Sequence, residues 1–149
     1  SNTNDHDLVK AKEVCEINIL QEEVNLFNNG FDKIESKDQE IFTGWGTMDK
    51  GILSGKLNPE SKFHADDCRS WAPWWKKSNW KDKTLRVKSL QESIREYTPL
   101  ELALAYSFEN SNISICGFKS MEQLNKIIKI QNSNIPAETL KEAWEVLNC

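Results

Sequence analysis

Ile113–Ile127 reads ISICGFKSMEQLNKI, and everything else in the chain is read outward from it. A short β-branched run, Ile113 and Ile115, meets Gly117. Lys119 follows at once, and Ser120 opens a helical pattern with Leu124, Ile127 and Ile128 on one face. Strand, glycine, cation and helix N-terminus together make a recipe for holding a phosphate. The glycine lets backbone approach the ligand, the free N–H groups of the first helical turn point at it, and the lysine adds charge. Ser120 is a fair N-cap, with Gln123 three residues on as in a capping box. An ordinary strand-to-helix junction with a capped helix has the same pattern, and taken alone the stretch favours that plainer reading.

Upstream, Asp5–Val14 reads as a short helix, and Ile17, Ile19 and Leu20 suggest a strand ending near Gln21. Asn28-Asn29-Gly30 is a turn signal. The next run, FDKIESKDQE, is polar and short for a helix. Ile41–Trp45 is the next strand. A long connection from Gly46 to about Asn79 carries Trp71, Trp74 and Trp75, with Trp80 just beyond, and such apolar area argues for docking rather than disorder. Lys83–Tyr97 is amphipathic, with Leu85, Leu90 and Ile94 facing one way. Thr98-Pro99 opens a further helix. The total is three strands and five or six helices, with no internal repeat.

Composition narrows the class. Hydrophobic residues make up 38% and charged residues 28%, an ordinary globular balance. A net charge of −4 is too acidic for a general nucleic-acid binder. No apolar run approaches the roughly 18 residues of a membrane span. Cys15, Cys68, Cys116 and Cys149 are far apart with no C-x-x-C pair, which suits a reducing cytoplasm and speaks against a zinc or redox motif. His64, Asp66, Asp67 and Cys68 look like ligands on paper, but FHADDCRS is better read as a polar loop, so no metal is expected.

Six ordered segments carry a resemblance. Gly117-Phe118-Lys119-Ser120-x-x-Gln123 resembles the cofactor-binding segment after the last barrel strand of aldo-keto reductases. Ile135–Leu147 and Pro99–Asn112 resemble the family's helical segments around it. Gln21–Phe27 resembles its sixth strand end, and Gly44–Leu57 its seventh strand and following loop. Ser1-Asn2 falls at the family's own spacing before Gln21. The resemblance covers essentially the whole chain and implies an α/β fold: a partial (β/α)8 TIM barrel, its last three strands with their helices.

The family's barrel takes about 250 residues, so residues 1–149 are expected to be its C-terminal portion, without a second domain. The chain begins at the Ser-Asn pair without Met or a targeting segment, which suggests a piece of a longer protein, a split gene product or a natural truncation. The family's Asp-Tyr-Lys-His tetrad belongs to the first half, so no catalytic residue is expected here. The resemblance implies a cytoplasmic, NADP-dependent parent that reduces a small carbonyl substrate by hydride transfer, with no nucleic-acid or membrane partner. This portion would need the missing N-terminal half. A non-catalytic NADP-binding or barrel-completing module is the alternative.

By the same resemblance Ser1, Asn2 and Gln21 hydrogen-bond the nicotinamide carboxamide, and Trp45 stacks on its ring, with Gly44 and Gly46 leaving space around the indole. Gly46, Thr47, Met48, Asp49 and Lys50 follow the pyrophosphate, where many relatives have Ser-Pro-Leu for Gly46-Thr47-Met48. Lys56 and Arg69 clamp from above. Gly117, Lys119, Ser120 and Gln123 hold the adenine ribose end, Lys119 pairing with a 2′-phosphate. Lys126 and Ile127 replace the acidic and amide residues that relatives place near adenine.

Overall fold

Alternating burial defines the first strand, β1 (Ile19–Asn25): Leu20, Glu22 and Val24 are buried and Ile19 is open. The computed structural model describes residues 1–35 and 40–148. Ahead of β1 lies helix α1 (Asp5–Lys12), N-capped by the Asn4 side chain, which accepts from the Asp7 N–H. β1 runs four residues past Gln21 and turns back at Leu26-Phe27 into β2 (Asn28–Asn29), which pairs antiparallel with it. The expected turn at Asn28–Gly30 is therefore displaced two residues upstream. A 3-10 turn follows at Gly30–Lys33. The polar run after it includes residues 36–39, which lie outside the described residues.

β3 (Ile41–Trp45) and β4 (Ile113–Ser114) complete, among the described residues, a four-stranded sheet of order β2-β1-β3-β4. β1, β3 and β4 are parallel, as the sequence leads one to expect; β2 is the addition. In register, Gln21 lies beside Thr43, Glu23 beside Trp45, Thr43 beside Ile113 and Gly44 beside Ser114.

The connection after β3 is not structureless. It carries a 3-10 segment at Asp49–Ser54, another at Cys68–Ser70, and helix α2 (Pro73–Lys76). Trp75 is buried, stacks on Trp80 at 5.3 Å and meets Phe63 edge-on. Trp71 and Trp74 remain exposed, so two of the four tryptophans anchor the connection. Helix α3 (Trp80–Ser93) starts three residues earlier than expected, where Trp80 joins that stack, and stops short of Tyr97. Its buried residues are Thr84, Val87 and Leu90, continued by Ile94; Leu85 faces solvent, against expectation. Thr98 is held extended before Pro99 and cannot continue the helix.

Thr98 instead opens α4 (Pro99–Glu109) with a full capping box to Glu101. Ser107 on α4 hydrogen-bonds the Val24 C=O and the Ser114 hydroxyl, and Ser111 closes on Gly44, so α4 covers the sheet face of the even-numbered strand residues. α5 (Met121–Gln131) buries Ile130 and half-buries Leu124 and Ile127, while Ile128 stays open. α6 (Ala137–Asn148) buries Leu140, Ala143 and Leu147. Its end is tied down at two points: Arg86 donates to the Leu147 C=O and the Asn148 side chain donates to the Leu26 C=O, 122 positions away.

The opposite sheet face carries the odd-numbered residues and is open at its isoleucines, although Thr43 and Asn25 are buried. Ile19 is 56% exposed, Ile41 43%, Ile113 50% and Ile115 47%. Ile19 and Ile41 pair across β1 and β3, and Ile113 and Ile115 lie on and just past β4; isoleucines so placed are a core pattern standing in solvent.

Candidate cofactor site

The C-terminal ends of parallel strands are where α/β folds collect ligand-binding groups. Here Trp45 ends β3 beside Glu23 of β1. Gln21 sits one pleat below this end rather than at it, beside Thr43. Asn2 lies against Gln21 through the backbone: its N–H donates to the Gln21 C=O at 3.0 Å, and the Thr3 N–H donates to Glu22 Oε1 at 2.6 Å. Ser1 is exposed beside them. The glycines beside Trp45 are closely approached by other groups, while the Trp45 side chain itself is half-buried. A Cβ on Gly44 would meet Ser111 at 3.0 Å, and one on Gly46 would meet Glu23 at 3.1 Å. The indole N–H of Trp45 is buried and meets no acceptor among the described residues.

Beyond Trp45 the chain turns sharply. Gly46 has φ +70°, and Asp49, Lys50 and Gly51 all adopt left-handed φ. Such a run is unfavourable for side-chain-bearing residues and needs compensation. Asp49 supplies it. Its carboxylate is 2% exposed and is gripped by Lys50 Nζ at 3.0 Å and by Lys83 Nζ from α3. Lys50 also reaches Glu23 Oε1 at 3.5 Å, and Asn25 donates to the Gly46 C=O at 3.1 Å. Burial works against the Lys50 charge, but its bonds to Asp49 and its attraction to Glu23 outweigh it, and its pKa rises above the ordinary lysine value. Lys50 is thus engaged within the loop. Thr47 is buried with its hydroxyl 3.8 Å from Cys116 Sγ, while Met48 opens the Asp49–Ser54 segment.

Arg69 joins this turn to the tryptophan-anchored part of the connection. Its Nη1 donates to the Lys50 C=O at 3.2 Å, and Nε and Nη2 donate to the two Asp67 oxygens at 2.9 and 2.6 Å. The guanidinium lies over the Phe63 ring at 4.5 Å. The hydrogen bonds from Arg69, with Lys119 adding a smaller attraction, hold the Asp67 carboxyl well below the usual carboxylate range. Lys119 therefore lies within electrostatic reach of the Arg69–Asp67 pair. Lys56 sits apart, in a groove against α3 with Thr84, Lys88 and Gln91.

At the start of α5 the Ser120 hydroxyl accepts from the Gln123 N–H, and the Gln123 side chain accepts from the Lys119 N–H at 2.7 Å. A Cβ on Gly117 would meet nothing within 4 Å among the described residues, so this glycine faces open space. His64 pairs with Asp66, and Asp67 with Arg69; among the described residues no three metal-ligating side chains come together. No described helix is long and apolar enough to cross a membrane.

The sequence matches the model of the Aldo/keto reductase family over residues 1–148. The chain belongs to that family. It is 23% identical over 156 residues to the aldo-keto reductase YhdN of Bacillus subtilis, covering 99% of this chain and 47% of that protein. A glycerol dehydrogenase from Gluconobacter oxydans shares the fold with a TM-score of 0.74 at 20% identity, over 97% of this chain and 46% of that one. The chain thus spans just under half the length of both.

For an aldo/keto reductase chain, the residues that sequence reasoning passed over are those that hold the loop. Glu23, Asn25, Lys83 and Asp67 each act on a partner distant in sequence or hidden in a polar run. Only Glu23 and Asn25 carried a signal, lying inside the strand segment that resembles the family.

Proposed function

We propose that this chain is the C-terminal portion of an NADP(H)-dependent aldo-keto reductase barrel and supplies most of its cofactor site. Bound nicotinamide would bring the hydride that reduces a small aldehyde or ketone. Residues of this chain would bind and orient the cofactor, and the proton donor would come from the first half. The observation that carries this reading is the junction at Gly117–Gln123. An open glycine precedes an exposed lysine at the N-terminus of an eleven-residue helix, with the Arg69–Asp67 pair in electrostatic reach. Helix N–H groups and a lysine there suit a phosphate. Two further observations fit a nicotinamide cofactor: the buried, unpartnered indole N–H of Trp45, and Asn2 fixed against Gln21.

The test compares NADPH and NADH affinity in the complete protein, this chain with its first half, and in its Lys119→Met variant. A charge-assisted contact to a 2′-phosphate contributes about 1.5–3 kcal/mol, roughly a tenfold to hundredfold preference. The variant should lose most of that preference through weaker NADPH binding. Undiminished discrimination would make Lys119 a surface cation and move attention to Lys126.

A second reading, a barrel-completing module without turnover of its own, draws on the exposed isoleucine face of the sheet. Mixing the chain with a separately produced first half and assaying NADPH oxidation tests this: turnover in the mixture favours the module, and turnover only when the two halves are one polypeptide favours the first reading.

A further inference from the structure

Arg69 is held more firmly than a residue waiting for an anion. Two of its three guanidinium nitrogens are committed to Asp67, and the third lies on the Lys50 C=O, against the turn taken above to follow the pyrophosphate. Phe63 beneath the guanidinium fixes its plane. A carboxylate and a phosphate are recognised by the same fork of N–H donors, so Arg69 cannot serve both in this bidentate manner.

We propose that Asp67 is an affinity-setting residue: its carboxylate occupies the Arg69 fork and competes with the cofactor's pyrophosphate for it. The proposal rests on the nicotinamide-cofactor reading above. Asp67 is suited to yield, because its side chain is 23% exposed and Arg69 24%, so water covers part of the pair during an exchange. Lys119 adds a weak attraction to the same carboxylate. Asp67 Oδ1 also caps the Cys68–Ser70 turn by accepting from the Arg69 N–H at 3.0 Å. Asparagine keeps that acceptor and removes the charge, so Asp67→Asn isolates the competition from the cap.

The experiment titrates NADPH and NADH into the complete protein, following quenching of tryptophan fluorescence, for the wild type, Asp67→Asn, Asp67→Glu, Asp67→Asn with Arg69→Met, and Lys119→Met. Asp67→Asn should tighten both cofactors alike, by roughly two- to fivefold, the scale of a released, partly exposed ion pair. Its affinity should fall more steeply with salt, because one more cation meets phosphate. The gain should vanish with Arg69→Met and be absent in Asp67→Glu. Adenosine, which has no phosphate, should show no gain; a loosened loop would act on all three ligands. Unchanged or weaker binding of both cofactors by Asp67→Asn, with Lys119→Met still narrowing the NADPH preference, overturns the Asp67 proposal alone. If the wild type binds neither cofactor, the cofactor reading falls first and this inference with it.

Discussion

At the scale of single residues, Asp49 carries the largest electrostatic burden. A carboxylate with 2% exposure persists because two lysines meet it, one from its own turn and one from α3. Removing a partner from a buried charge is costly, whereas an exposed lysine matters little. Lys83→Met should lower stability by about 2–4 kcal/mol, with Lys50 left to limit the loss. Lys81→Met, two residues away on the solvent side, should change it by less than about 0.5 kcal/mol. Urea midpoints of the two variants check this. Lys50 gives a pH signature. Its folded-state pKa lies above the ordinary value of 10.5, so its stabilising contribution is complete below that value and is lost as pH rises through the folded pKa. The destabilisation caused by Lys50→Met should therefore be flat across neutral pH and shrink only in strong alkali. A difference that already fades near neutrality would mean that Lys50 does not hold the turn. None of these pairings was legible in the sequence. Lys83 reads as one more solvent-facing cation of an amphipathic helix, and its partner lies 34 positions away.

At the scale of elements, legibility followed the strength of the local code. β3 was read to the residue, because Ile41–Trp45 is a short apolar run bounded by glycine. The α4 start was equally plain, since Thr98-Pro99 marks a helix opening with a first-turn proline; the structure adds Glu101 as the capping-box partner. The turn after β1 was placed two residues too late and β2 was not foreseen, because the turn falls on Leu26-Phe27, which carry no turn chemistry; a buried Leu26 and the bond from Asn148 hold it instead. Leu85 was assigned inward by helical spacing alone, yet the tryptophan stack rotates the buried stripe onto Thr84 and Val87. The α4 cap is open to test. Thr98→Ala should cost about 1 kcal/mol. The Thr98 hydrogen bonds lower the Glu101 pKa, so their contribution is present above the ordinary carboxylate value of 4.5 and lost as pH falls through the folded pKa. The wild-type advantage over Thr98→Ala should accordingly shrink in acid, and a constant difference down to strong acid would refute the link. In the connection after β3, Trp75→Ala should cost about 3–5 kcal/mol, while Trp71→Ala should be nearly silent in thermal melts.

At the scale of the whole molecule, helices cover one sheet face and four isoleucines stand open on the other. β4 ends the sheet with an edge that has no strand beyond it among the described residues. Open apolar faces and strand edges recruit partners. The 149-residue chain by itself should associate or bind a hydrophobic dye, and a first-half complement should abolish both. A dye-silent monomer with a cooperative melt would contradict this. The same chain alone should not oxidise NADPH in the presence of aldehydes, because the proposed proton donor lies in the other half. Heat-labile turnover by pure material would relocate the catalytic groups into this chain.

The clasp between Asn148 and Leu26 also has a consequence for timing. A ribosome releases β1 and its turn long before residue 148, and the nascent hairpin must persist without the contact that finally secures it. Chain closure over such a span comes late and slowly, because the entropy of a long loop is paid before its reward arrives. Until then the Leu26-Phe27 turn rests on its strands and on local bonds such as that from the Phe27 N–H to Asn25 Oδ1. The time taken to make α6 therefore sets how long the turn after β1 waits for that bond.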